Sequence, residues 1–155
     1  MMQIKLIQPH QIEEVKHLIL AVCQEIFQVP EEVILRHDSL TDIDNFQSEY
    51  FNNTGTFLVL VDNHRVVGSG AIRRINNDIC ELKRMFFLKD YRGRGLGMKI
   101  AQKLLNFAKK TEYKKVRLDT RKEMTQALKL YKKLGFYFIE RYNNSSCTIF
   151  MEKKL

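Results

Sequence analysis

Three glycines on alternate positions, Gly93, Gly95 and Gly97, enclose Arg94 and follow Arg92 in the stretch DYRGRGLG, residues 90–97. An apolar run, MFFL, comes just before, and a segment with helical apolar spacing comes just after. The start of a helix leaves backbone N–H groups without partners and carries the positive end of the helix dipole, so a glycine turn feeding a helix can seat an anion. The spacing excludes two better-known glycine loops. A dinucleotide GxGxxG needs glycine at 98 or 100, where Met98 and Ile100 stand, and a P-loop needs GK followed by Ser or Thr. What is left is RxxGxG, Arg92 to Gly97. Taken alone, a tight turn with two solvated arginines would also account for it.

Two carboxylates stand in runs that otherwise read as apolar strands, Glu81 in ICELKRMFFL and Asp119 in KKVRLDT. A carboxylate there is costly unless paired or partly wet, which sets both apart from surface acids. Pairing with Lys83, Arg84 or Arg117 would satisfy them. The histidines, His10, His17, His37 and His64, show no metal spacing. Cys23, Cys80 and Cys147 are odd in number and far apart, with no CxxC, so neither a disulfide framework nor a zinc site is expected, and a reducing compartment suits them.

The elements that must position these groups follow from apolar periodicity. After Pro9, residues Ile12, Val15, Ile19, Val22 and Ile26 recur at steps of three and four and predict a helix, with QIKLI before it as an edge strand. Residues 30–53 carry no clean period; TDIDNFQSEYF, capped at Thr41 or Asp42, predicts a second, shorter helix. The β-rich runs either side of DNHR predict a hairpin. A helix from about Met98 to Lys110 places Ile100, Ala101, Leu104, Leu105 and Ala108 on one face, with Lys99, Gln102, Lys103, Asn106 and Lys109 on the other. Then come the strand KKVRLDT, a helix stopped by Gly135, and closing strands FYFIERY and CTIFMEK around NNSS, which makes Cys80 and Cys147 small strand residues of the core. This order reads as an α/β fold whose largely antiparallel sheet contains one strand–helix–strand crossover.

Length makes the chain one domain, residues 1–155, able to bury about two-thirds of its unfolded surface. The start lacks the charged and apolar regions of a secretory signal and no stretch approaches a membrane span, so a cytoplasmic protein is expected. Lys plus Arg number 26 against 18 Asp plus Glu, a formal charge of +8 that favours an anionic partner. Nucleic acid is one such partner, but there is no aromatic ladder among the basic residues, no recognition-helix signature and no zinc spacing.

RxxGxG between an apolar strand and an amphipathic helix resembles the cofactor signature of the GNAT superfamily of N-acetyltransferases, Q or R, two residues, G, one residue, then G or A. Downstream, ALKLYKKLGF is similar to a second element of that family, through Ala127, Tyr131, Gly135 and Phe136. CELKRMFFL looks like its fourth strand. The resemblance covers about residues 56 to 140. It implies a central mixed, mostly antiparallel twisted sheet of about seven strands, splayed between strands 4 and 5 and flanked by about four helices.

It also implies a reaction, transfer of an acetyl group from acetyl-CoA, the acyl-donor substrate, to a primary amine by direct attack in a ternary complex, without a metal. Arg92, Gly93, Arg94, Gly95, Leu96, Gly97 and Met98 would wrap the pyrophosphate, and the backbone of Met85, Phe86 and Phe87 would bond the pantetheine arm and the thioester oxygen. Glu81 or Asp119 would take a proton from the amine, and Tyr131 would supply one to the departing thiolate. Relatives often carry Asn seven residues before this Tyr; here it is Met124, so either Thr120, Thr125 or a water contacts the arm in its place, or the arm is held less tightly than in those relatives. Phe46, Tyr50, Asp42, Asp44 and Glu49 are candidates for a wall around a cationic amine. The expected partners are a small-molecule or peptide amine, with no nucleic acid and no membrane. The sequence does not give the oligomeric state; a homodimer is the commonest oligomer and the expectation if the chain assembles. The alternative is a domain that binds acetyl-CoA without turning it over, against which the retained Tyr131 and the intact RxxGxG argue.

Overall fold

A computed structural model describes residues Met1–Leu155. Its strands are β1 (Met2–Leu6), β2 (Thr56–Asp62), β3 (Arg65–Arg74), β4 (Ile79–Phe87), β5 (Lys115–Thr120), β6 (Tyr137–Ile139) and β7 (Ile149–Lys154). Its helices are α1 (Ile12–Phe27), α2 (Glu31–His37), α3 (Thr41–Asp44), α4 (Phe46–Glu49), α5 (Leu96–Lys110) and α6 (Thr125–Lys133). The strands form one sheet in the order β1-β2-β3-β4-β5-β7-β6, in which only β4 and β5 run parallel. No helix is long and apolar enough to cross a membrane.

Strand alternation divides the apolar residues between two cores. Leu60, Val67 and Ile72 pack on the face covered by α5, while their neighbours Val59, Val66 and Ala71 pack on the face covered by α1 to α4. On α5 the expected stripe is buried, and each fully buried leucine of it, such as Leu104, contributes about 1.5–3 kcal/mol. Between β2 and β3 the turn residues Asn63 and His64 both take positive φ, 49° and 67°, the mirror-type turn whose twist matches a hairpin.

Two irregularities of β4 shape the site. Its pairing with β5 stops after Ile79, Cys80 and Glu81, so Leu82–Phe87 has no partner on that side and Leu118–Thr120 pairs only with β7. The two strands therefore part and leave a V-shaped opening. On the other side the β3–β4 register slips between Ser69 and Ala71, Arg84 sits at φ 60°, and the Ser69 hydroxyl donates to the Arg84 carbonyl at 2.6 Å. This bulge re-aims the end of β4.

The fold departs from the sequence reading in two places. Residues 30–53 form three short helices rather than one, because the segment bends round Arg84: Asp38 and Asp42 both bind its guanidinium, and Asp38 also accepts the Leu40 N–H at 3.2 Å. The predicted strand FYFIERY is only three residues long, because Arg141 gathers the carbonyls of Asn143, Ser145 and Cys147 at 3.3, 2.9 and 2.8 Å and folds residues 140–148 into a loop. Cys147 is therefore a half-buried loop residue, not a core strand residue.

Candidate functional site

Two clefts meet beneath the parted strands. The first, about 530 Å³, runs between the turn at residues 92–97, the free edge of β4 and α6. The backbone N–H groups of residues 93 to 98 donate to no acceptor in the protein: the first intrahelical bond runs from Lys99 N–H to the Gly95 carbonyl at 3.1 Å. Six unpartnered donors at a helix start can seat an anion. Gly93 and Gly95 lie at φ 73° and 75°, and a Cβ on either would meet nothing within 4 Å, so it is the backbone angle that calls for glycine.

The side chains of this turn divide their work. Arg92 donates from Nε to the Phe87 carbonyl at 2.8 Å and forms a bidentate pair with Glu25 at 2.8 and 2.9 Å, which ties α1 to the turn. That hydrogen bonding, aided by the charges of Arg92 and Lys89 and opposed by burial, holds the Glu25 carboxyl below its usual range. Met85, Phe86, Phe87, Arg92, Gly93, Gly95, Gly97 and Met98 all line the cleft. The side chains of Arg94 and Leu96 do not: Arg94 is exposed over the Tyr91 ring at 5.3 Å, and Leu96 is buried in the core. Only their N–H groups belong to the row. The Phe87 ring packs against Gly68, its register partner, where a Cβ would lie 2.5 Å from the ring.

Tyr131 stands where the first cleft opens into the second, lining both with Met85 and Phe86. Its place follows from the end of α6. Gly135 takes φ 95°, its N–H bonds the Lys132 carbonyl and the Phe136 N–H bonds the Tyr131 carbonyl, a Schellman motif. That closure sets the Phe136 ring edge-on to Tyr131 at 5.8 Å. Tyr131 is 6% exposed, and burial first, then the charge of Asp119, pushes its phenol well above the usual range.

The second cleft, about 620 Å³, lies between α1, α2, the ends of β4 and β5, and the loop at residues 145–147. Asp119 lines it and Glu81 does not. Glu81 is 6% exposed, with Oε2 accepting from Tyr142 at 2.6 Å and Oε1 3.6 Å from Lys83 Nζ. Asp119 Oδ2 accepts from Asn143 and Ser145 at 2.8 and 2.7 Å, while its Oδ1 accepts from no N–H or O–H of the protein. Burial, followed by the nearby carboxylates, raises the thiols of Cys23 and Cys147, on opposite walls, to about 11. Both stay protonated at neutral pH and neither is activated as a nucleophile.

The expected aromatic and acidic wall is not formed. Phe46 and Tyr50 are buried in the core, Asp44 binds Lys16 and Glu49 faces Arg73. The wall is instead α2, with Val33, Ile34, His37 and Asp38. Asp42 reaches the cleft only through Arg84, itself 7% exposed at its side chain, and also accepts the Tyr50 hydroxyl. Burial alone would raise the Asp42 carboxyl, but the hydrogen bonds and charge of Arg84 hold it at about 2. Nothing in the spacing of residues 30–53 marks α2 as a wall. Asp38 and Asp42, one helical turn apart in number, were the available hint of a shared cation. Met124 lines both clefts; Thr125 lines the first and Thr120 the second.

Comparison with known proteins agrees with this geometry. The family model for the acetyltransferase (GNAT) family matches residues 20–136. An uncharacterized N-acetyltransferase of Escherichia coli (strain K12), YjgM, is 32% identical over 128 residues, covering 77% of each chain. N-acetylaspartate synthetase of Xenopus tropicalis is 32% identical over 132 residues, 78% of this chain and 49% of that one. An uncharacterized N-acetyltransferase of Dictyostelium discoideum is 38% identical over 80 residues, 50% of this chain. The chain thus spans about half the length of the Xenopus relative and 37% of the Dictyostelium one. Among solved structures, a GNAT-family acetyltransferase of Staphylococcus aureus superposes with a TM-score of 0.88 at 24% identity, covering 99% of both chains. The paia N-acetyltransferase of Thermoplasma acidophilum, solved with coenzyme A, gives 0.80 at 19% identity, covering 100% of this chain and 99% of that one.

Proposed function

The chain belongs to the GNAT acetyltransferase family, and on that premise we propose that it moves an acetyl group from acetyl-CoA to a primary amine by direct attack in a ternary complex. One observation carries this reading: a row of six unpartnered N–H groups opens onto a cleft that meets a second cleft at Tyr131. In this reading the pyrophosphate of acetyl-CoA rests on residues 93–98. The pantetheine arm runs along the unpaired edge of β4, past Met85, Phe86 and Phe87, with Thr125 as the hydroxyl nearest the position of the family's Asn.

The acceptor enters by the second cleft. Asp119, whose Oδ1 is free, takes a proton from the ammonium; the amine then attacks the thioester carbonyl, and an N–H of the β4 edge stabilises the oxyanion. As the C–S bond breaks, the sulfur takes the proton of Tyr131, whose raised pKa keeps the phenol protonated until that moment, and the surplus proton on the attacking nitrogen passes back to the Tyr131 oxygen, so that CoA leaves as the thiol and the phenol is restored. Glu81 serves through the loop it holds, by way of Tyr142. The name of the Xenopus relative, N-acetylaspartate synthetase, puts amino acid amines among the acceptors to try first.

The test is calorimetric titration with acetyl-CoA, with desulfo-CoA and AMP as controls, followed by thiol release over an amine panel. One-site binding of acetyl-CoA, much weaker binding of AMP and amine-dependent thiol release are expected. A folded sample that binds no acetyl-CoA would overturn the reading, and binding without turnover over the panel would favour a silent acetyl-CoA-binding domain.

A further inference from the structure

The acceptor cleft carries four basic side chains, and their commitments differ. Lys83 faces Glu81 at 3.6 Å. Arg84 is saturated by Asp38 and Asp42. His37 ends α2 on the far wall. Arg121, just beyond β5, forms no ion pair and no side-chain hydrogen bond; its guanidinium carbon lies 5.9 Å from the centre of the Phe27 ring, at the end of α1. Half-buried and leaning on an aromatic face, it keeps its N–H donors free towards the cleft. It is the one permanently charged cation of this cleft without a carboxylate partner.

We infer that Arg121 is the anchor for a carboxylate on the acceptor, and that the acceptor is an α-amino acid. This rests on the acetyl-transfer reading above. Asp119, near the end of β5, and Arg121, just beyond it, both line this cleft, two residues apart and so about 7 Å apart along the chain. One offers a free carboxylate oxygen beside Tyr131 and the other a free guanidinium. With a hydrogen bond of about 2.9 Å at each end, the ammonium and carboxylate of an α-amino acid bridge such a pair. Bound this way, the amine faces Asp119 and the thioester, and the side chain of the acceptor points towards α2, where Val33, Ile34 and His37 would sort it. A planar guanidinium recognises a carboxylate in two-pronged fashion, which Lys cannot copy.

The test compares each of L-aspartate, L-serine and L-leucine with its α-amide as acceptor, in the wild type and in Arg121→Gln and Arg121→Lys, with acetyl-CoA affinity measured for each protein. The amide amine is the less basic and so more often uncharged, which biases the comparison against the inference. For the wild type, the acid is expected to have the higher kcat/KM in at least one pair. Arg121→Gln should raise KM for that acid by about tenfold or more, leave the amide and the acetyl-CoA affinity unchanged, and be partly rescued by Lys. Equal use of acid and amide, equal losses on both, or turnover of no member of any pair by a protein that binds acetyl-CoA would overturn the assignment. Failure to bind acetyl-CoA at all would instead overturn the acetyl-transfer reading beneath it.

Discussion

Glu81 and Asp119, on two strands that part just beyond Glu81, share one donor: Asn143 Nδ2 lies 3.4 Å from Glu81 Oε2 and 2.8 Å from Asp119 Oδ2. The shared amide separates their roles. Glu81 has both oxygens engaged, whereas Asp119 lines the second cleft and its Oδ1 accepts from no N–H or O–H of the protein. Asp119→Asn should therefore lower kcat by about 10²–10⁴-fold at neutral pH, the range for loss of a general base. Glu81→Gln should act mainly on the acceptor KM, by loosening Tyr142 and the loop. Steady-state kinetics on one good acceptor decides; equal kcat losses in both variants would remove the distinction.

Tyr131 is fixed by the closure of α6 and by the Phe136 ring. Tyr131→Phe preserves that packing and removes only the hydroxyl. The expected result is a fall in kcat of about 10²-fold or more with acetyl-CoA affinity unchanged. Phe136→Ala should lose about 3–5 kcal/mol of stability as a buried aromatic truncated to a cavity, with turnover falling in the surviving folded fraction. An unaltered rate for Tyr131→Phe would end its assignment as the acid.

Gly95 separates backbone strain from contact. Its φ of 75° and the open space around its Cβ direction mean that Gly95→Ala should cost only the left-handed penalty, about 1–2 kcal/mol, read as a lower melting temperature. Gly95→Glu adds a negative charge beside the six free N–H groups, so acetyl-CoA affinity should fall at least about tenfold further. Isothermal titration of both variants checks this, and equal affinities would show that no anion sits on the turn.

Legibility in the sequence followed the range of the interactions. The crossover, the hairpin and the α5 stripe could be read because period and turn chemistry are local, and the turn at RxxGxG could be read as one feeding a helix because its glycines lie close together in the chain. Arg84 could not. Its burial depends on a bulge in β4 and on acids more than forty positions away, Asp42 and Asp38, and such a pairing leaves no period. The loop at 140–148 hid for a related reason. Arg141 satisfies three carbonyls that a strand ladder would otherwise have claimed, so a β-rich run folds away from the sheet and over both carboxylates.

The Arg84 cluster makes stability depend on acid pH in a direction that can be worked out. Asp42 is lowered from 3.8 to about 2, against the opposing effect of burial, by the hydrogen bonds and charge of Arg84. A carboxyl with a depressed folded pKa adds stability that is complete above its unfolded pKa and is lost as pH falls through the folded one. The shift corresponds to about 2 kcal/mol at neutral pH, disappearing between about pH 4 and pH 2. Asp38, lowered by the same guanidinium, adds to the effect in the same direction. Asp42→Asn should accordingly be less stable than the wild type at pH 7 and converge with it near pH 2, as followed by urea unfolding at a series of pH values. Arg84→Ala should be worse than either, by about 3–5 kcal/mol at neutral pH, because it leaves a buried carboxylate without its partner. A wild-type advantage over Asp42→Asn that stays constant from pH 7 to pH 2 would mean that Asp42 contributes through packing and not through its charge.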